Sequence, residues 1–163
     1  MKSAYFAGGC FWCITPTFAM TTGVRKVTSG YSGGTEESPT YEDVKYQRTS
    51  HRETIRIDYN PEKVGYAQLL EIFLSSVDPY DEGGQFIDRG HSYTLAVYVQ
   101  SEEERRLAQL ALEKLMEDSG KQPCVALEPF QSFWEAEEYH QDYYLKNPEA
   151  FRKELIESGR IKK

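Results

Sequence analysis

Apolar positions along the chain repeat with two periods, and the switching between them lays out the elements. Residues 4–7 form a short apolar run ended by Gly8-Gly9, which predicts a first strand. Directly after it, Phe11, Ile14 and Phe18 recur at helical spacing. A second strand is predicted over residues 24–31 and a third over residues 53–59, whose alternation stops at Asn60-Pro61. Tyr66, Leu69, Leu70, Phe73 and Val77 then fill one face of a helix up to Asp78-Pro79. A long loop carrying Gly83-Gly84 and Gly90 leads into a strand over residues 93–100, with Leu95, Val97 and Val99 on one face. Ser101 with Glu104 reads as a capping box, opening a helix that carries Leu107, Leu110, Ala111 and Leu115 and stops before Gly120. Residues 124–127 predict a short apolar strand. Asn147-Pro148 reads as an N-cap followed by proline at the first helical position, with Phe151 and Leu155 facing inward. The order is βαββαβαβ and then helices. It predicts an α+β fold: a two-layer sandwich with a mixed β-sheet, flanking helices and a ferredoxin-like core.

The chain has 163 residues with no internal repeat and no Pro-, Gly- or Ser-rich linker, so one domain over residues 1–163 is expected. Acidic residues outnumber basic ones, 26 to 19, and the net charge of −7 argues against a nucleic-acid partner. No apolar run is long enough to span a bilayer, and the first ten residues lack the apolar stretch of a signal peptide. A cytoplasmic protein with no membrane partner is expected. Three cysteines, Cys10, Cys13 and Cys124, are too few for a secreted disulfide framework. The C-x-x-C pair therefore points to catalysis or metal binding.

Candidate chemistry concentrates in Gly8-Gly9-Cys10-Phe11-Trp12-Cys13. A strand ends, two glycines turn the backbone, and a cysteine stands where a helix begins. Free N–H groups and the positive end of the helix dipole favour thiolate there, so Cys10 is expected to be a nucleophile of depressed pKa rather than an inert buried thiol. Cys13, one helical turn on, has the spacing of C-x-x-C disulfides. Glu53 alternates with Thr54 and Ile55. Facing inward it would be desolvated and neutral; facing outward it would be an ordinary strand glutamate.

The tetrapeptide Gly9-Cys10-Phe11-Trp12 resembles the signature of the peptide methionine sulfoxide reductase A family. Six further motifs follow in the family's order: Gly30-Tyr31-Ser32-Gly33-Gly34, Pro39-Thr40-Tyr41-Glu42-Asp43-Val44, His51-Arg52-Glu53, Asp78-Pro79, Gly84-Gln85-Phe86-Ile87-Asp88-Arg89-Gly90, and Glu137-Glu138-Tyr139-His140-Gln141. The resemblance implies thiol-dependent reduction of methionine (S)-sulfoxide, in proteins and as the free amino acid, through a cysteine sulfenic acid. It implies Cys10 as nucleophile, Glu53 as proton donor, and Tyr31 and Tyr93 as the hydroxyls that hold the sulfoxide oxygen. Phe11 and Trp12 match the pocket for the S-methyl group, and Asp88 and His140 match positions that line or support it. No metal or organic cofactor is implied. The implied partners are methionine sulfoxide as substrate and thioredoxin as reductant, and a monomer is expected.

Many family members carry the recycling cysteine in a Gly-rich C-terminal tail, whereas residues 159–163 hold none. Cys13 is therefore the expected recycling cysteine and Cys124 a packing residue. Ser50 stands where the family usually has glycine, and Thr94 where an arginine commonly follows the tyrosine. Two other readings compete. A thioredoxin-like disulfide oxidoreductase would use Cys10 and Cys13 but leaves Tyr31, Glu53 and Tyr93 without a task. A zinc-binding module would draw on Cys10, Cys13, Cys124, His51, His91 and His140, but a second closely spaced ligand pair is missing.

Overall fold

The structure, a computed structural model, describes residues 1–157. In chain order it contains β1 (Lys2–Gly8), α1 (Phe11–Ala19), β2 (Val24–Ser32), α2 (Tyr41–Lys45), β3 (Arg52–Tyr59) and α3 (Tyr66–Ser76). The short hairpin of β4 (Gly84–Gln85) and β5 (Asp88–Arg89) comes next, then β6 (Leu95–Val99), α4 (Glu102–Ser119), β7 (Val125–Pro129) and β8 (Trp134–Glu135). Two helices close the described chain, α5 (Tyr143–Lys146) and α6 (Pro148–Glu157).

The main sheet has the order β7-β6-β1-β3-β2-β8. Its four central strands each run antiparallel to their neighbours and are joined by two β-α-β crossovers through α1 and α3, which makes the predicted ferredoxin-like core. The β6-α4-β7 unit adds a parallel strand at one edge, so the sheet is mixed. Strand alternation divides the residues between two faces. Ala4, Phe6, Val27, Ile55, Ile57, Leu95 and Val97 pack under Ile14 and Phe18 of α1 and Leu69, Leu70 and Phe73 of α3. On the opposite face Tyr5, Ala7, Ala96 and Tyr98 meet Phe130 and Phe133, with the Tyr5 and Phe130 rings stacked at 4.1 Å. Gly30 is needed for that cover, because a Cβ there would run into the Phe133 ring.

The helix limits follow local chemistry. Ser101 accepts from the Glu104 N–H at 3.1 Å, Glu104 accepts from the Gln100 N–H at 2.9 Å, and α4 ends on Gly120 at φ +72. Two predicted boundaries shift. Tyr93 belongs to a 3-10 turn, His91–Tyr93, rather than to the strand, because the turn carries the chain off the positive-φ Gly90 before pairing starts. Cys124 lies just ahead of β7, its thiol 3.6 Å from the Tyr80 carbonyl. Among the described residues no helix is long and apolar enough to cross a membrane.

Candidate active site

The site forms at one end of the sheet, where β1 and β2 finish and β3 and β6 begin. Gly9, at φ +82, turns the chain out of β1 and places Cys10 as the N-cap residue of α1. Glu53 lies opposite Tyr31 in the register and shares the helix-covered face with Ile55 and Ile57, so it points inward and is 1% exposed. One of its oxygens, Oε1, accepts the Phe11 backbone N–H at 3.1 Å, a donor that the helix start leaves free. Burial pushes its carboxyl up to about 8; Asp88 and Cys13 add to the rise, while the Phe11 N–H and Tyr93 oppose it. The second oxygen, Oε2, is buried without a hydrogen-bond partner among the described residues. Glu53 is thus a neutral acid with a proton available for donation.

Cys10 departs from expectation. It is 6% exposed, and its thiol is held well above the ordinary range first by its hydrogen bond with Cys13 and by burial, with the acidic groups Cys13, Glu53 and Asp88 around it adding to the rise. The helix-dipole argument fails here because the free Phe11 N–H serves Glu53 and because the surroundings are dry and acidic. Cys10 and Cys13 are not joined in a disulfide, and the Cys13 N–H donates to the Cys10 carbonyl at 3.1 Å. Cys124 sits beyond β6, two strand spacings or roughly 10 Å from β1, farther than a disulfide reaches between Cα atoms.

Rings form the wall. Phe11 is fully buried and Trp12 half-buried. The Trp12 indole N–H donates to His140 Nδ1 at 3.0 Å, and Tyr143 stacks on the indole at 4.0 Å. His140 also meets Tyr41 at 4.2 Å and Phe11 at 5.3 Å. Burial lowers the His140 pKa to about 4 despite the pull of Glu137, so the ring is neutral. With Nδ1 accepting, the ring proton belongs on Nε2, which is buried without a partner among the described residues.

The tyrosines sort differently from expectation. Tyr31 is completely buried and its hydroxyl donates to Glu137 Oε1 at 2.9 Å, so it is tied away from the thiol. The other Glu137 oxygen accepts the Tyr41 N–H at 3.0 Å. Burial would raise the Glu137 carboxyl, but these donors outweigh it and keep it charged. Tyr41, rather than Tyr31, shares its surroundings with Tyr93. Burial above all, and then the acidic groups packed around them, push both phenols far up, so both keep their protons. Asp88, on the β4–β5 hairpin, acts on this whole cluster.

Two amide side chains hold these parts together. Gln47 exchanges hydrogen bonds with Ser92, accepting its N–H at 3.0 Å and donating to its hydroxyl at 2.8 Å, and so joins the α2 segment to the turn bearing Tyr93. Gln141 accepts the Ser29 N–H and donates to the Ser29 carbonyl, both at 2.9 Å, as a neighbouring strand would. Tyr41, Glu137, Gln141 and Tyr143 carry no role in the sequence reading. The motifs containing Tyr41, Glu137 and Gln141 mark their neighbourhoods, but only the fold brings them to Cys10. Among the described residues no group of three or more His, Cys, Asp or Glu side chains is arranged to hold a metal ion.

A family profile described as peptide methionine sulfoxide reductase matches residues 2–163. The peptide methionine sulfoxide reductase MsrA of Bacillus velezensis is 45% identical over 160 residues, covering 96% of this chain and 90% of that one. Mxr1 from Saccharomyces cerevisiae in its reduced form superposes with a TM-score of 0.85 at 27% identity, over 91% of this chain and 86% of that one. Methionine sulfoxide reductase A of Corynebacterium diphtheriae gives 0.80 at 27% identity, over 90% and 75%.

Proposed function

The chain belongs to the peptide methionine sulfoxide reductase family, and from that premise we propose how its own residues perform the reaction. It reduces methionine (S)-sulfoxide to methionine through a sulfenic acid on Cys10. The observation that carries the reading is the neutral, buried Glu53, with an oxygen that has no hydrogen-bond partner among the described residues, beside a protonated thiol.

A sulfoxide sulfur is a poor electrophile until its oxygen is protonated or strongly hydrogen-bonded. Glu53 supplies the proton, and the phenols of Tyr41 and Tyr93 donate to the same oxygen. The carboxylate formed in this step takes the Cys10 proton as the sulfur attacks. The bond from oxygen to methionine sulfur breaks and a bond from oxygen to Cys10 sulfur forms, so thiol and sulfoxide become sulfenic acid and thioether. Glu53 ends protonated again. Phe11 and Trp12 pack the S-methyl group, and the neutral His140 holds the indole in place. Burial, with the Cys13 hydrogen bond at Cys10 and a smaller push from Asp88, keeps Glu53 and Cys10 protonated between turnovers.

Cys13, already hydrogen-bonded to Cys10, condenses with the sulfenic acid, releasing water and leaving a disulfide for thioredoxin to reduce. Cys124 is too remote for this step without movement of its segment. A disulfide oxidoreductase would need the two cysteines but not the acid and the phenols. Residues 1–163 act as one catalytic unit, a cytoplasmic monomer with no metal or organic cofactor.

One experiment tests the assignment. Purified protein is offered each sulfoxide epimer with dithiothreitol or thioredoxin as reductant. Wild type should turn over the S epimer with both reductants. Cys10→Ser should form no methionine. Cys13→Ser should form about one equivalent with thioredoxin and turn over repeatedly with dithiothreitol. A Cys10→Ser enzyme that still makes methionine would overturn the assignment.

A further inference from the structure

Among the described residues nine large apolar side chains stand exposed, and three of them, Phe86, Ile87 and Tyr139, directly precede residues of the site. Phe86, 40% exposed, and Ile87, 58% exposed, form the tip of the β4–β5 hairpin immediately before Asp88. Tyr139 precedes His140, the two ring centroids 4.0 Å apart. Exposed apolar side chains thus flank Asp88 and His140 in the chain and form the rim of the site.

The hairpin tip carries a second signal. Two-residue hairpin turns favour Gly, Asn or Asp, because at least one central residue must adopt positive φ. Here that residue is Phe86, at φ +55, a conformation that bulky side chains rarely take. Turn chemistry and solvation therefore both oppose a Phe-Ile tip. Strain of this kind is characteristic of places where a side chain is used.

Depth supplies the third. Cys10 is 6% exposed and Glu53 1%, so a sulfoxide reaches them only at the end of its own side chain. The residues before and after it in a polypeptide must then lie across the rim.

We propose that the Phe86–Ile87 tip is a specificity element that packs against an apolar side chain next to methionine sulfoxide. The inference rests on the reductase reading and sharpens it: the preferred substrate is a sulfoxide within an apolar stretch of polypeptide rather than the free amino acid. Methionine is mostly a core residue, so such stretches are its ordinary surroundings.

The double variant Phe86→Gly with Ile87→Asn removes both apolar side chains and installs a Gly-Asn pair suited to a hairpin turn. It is compared with wild type on three S-epimer substrates: capped methionine sulfoxide alone, a tripeptide flanked by alanine, and one flanked by leucine. Wild type should favour the leucine peptide over the alanine peptide by about tenfold in kcat/KM. In the variant that ratio should fall close to one, with the capped compound turned over as before. Absence of the preference in wild type, or its survival in the variant, would refute the proposal. So would equal loss on all three substrates in both the double variant and Ile87→Ser, which would mean that the tip serves to place Asp88. Failure of wild type on every sulfoxide would instead remove the reductase reading itself.

Discussion

Glu53 links the stability of the fold to the chemistry of the site. Its carboxyl titrates near 4.5 when unfolded and at about 8 in the folded chain. Below the lower value both states hold the proton and folding incurs no penalty. Between the two, the unfolded chain gives the proton up while the folded chain keeps it. Stability therefore falls as pH rises, by up to roughly 1.4 kcal/mol per pH unit. Glu53→Gln keeps the Phe11 hydrogen bond and cannot ionise, so its urea midpoint should increasingly exceed that of wild type from pH 5 to pH 8. The same variant should lose sulfenic acid formation in a single turnover, and the wild-type rate should decline above about pH 8. A Gln variant with normal single-turnover rates would move the acid role elsewhere. The two tyrosines make a sharper contrast. Tyr41→Phe should lower methionine formation by about 10- to 100-fold with the fold intact. Tyr31→Phe should leave that rate within about twofold and instead cost about 1–2 kcal/mol of stability, because Glu137 loses its donor. Circular dichroism melts beside initial rates separate the two outcomes, and the opposite ranking would return the hydroxyl role to Tyr31.

Among the elements, those with a long periodic pattern were legible from sequence. The α3 face from Tyr66, the Ser101 cap and the alternation through Ile55 and Ile57 all lie where their spacing put them. The short elements were not. The five-residue helix α2 starts at a Thr40 side chain that accepts the Asp43 N–H at 3.2 Å, and five residues cannot display a period. Strand β8 has two residues and exists because the Gly30–Tyr31 edge accepts it. The same limit applies to the site. Cys10 and Glu53 stood out through local context and family resemblance. The proposal that Tyr41 takes the role expected of Tyr31 rests on which hydroxyl meets Glu137, a contact across 106 residues. The expected low pKa of Cys10 failed for a related reason, since burial and acidic neighbours are properties of the assembled fold. The Gln141 amide shows how β2 is capped beyond β8. Gln141→Leu would leave the buried Ser29 N–H without this partner, while the Ser29 carbonyl keeps the Ala136 N–H; the loss should cost about 1–3 kcal/mol in urea unfolding. Loss of less than half a kcal/mol would mean that water replaces the amide freely.

Across the whole molecule the site is assembled from distant stretches. The ferredoxin-like core contributes Cys10 and Glu53, the connections between its strands contribute Tyr41, Asp88 and Tyr93, and the segment after β8 contributes Glu137, His140 and Tyr143. That last segment sits on the β2 edge through two strand residues, the Ala136 N–H on the Ser29 carbonyl, the Gln141 amide and the Tyr31–Glu137 hydrogen bond. During synthesis the strands of the core leave the ribosome before residues 134–143 do, so the sheet can pair while the aromatic wall is still missing. A growing chain therefore carries Cys10 without Trp12 clamped by His140 and without Tyr31 and Tyr41 anchored on Glu137. The order of the polypeptide makes its chemistry a late event: the protein can become a folded body before it becomes a catalyst.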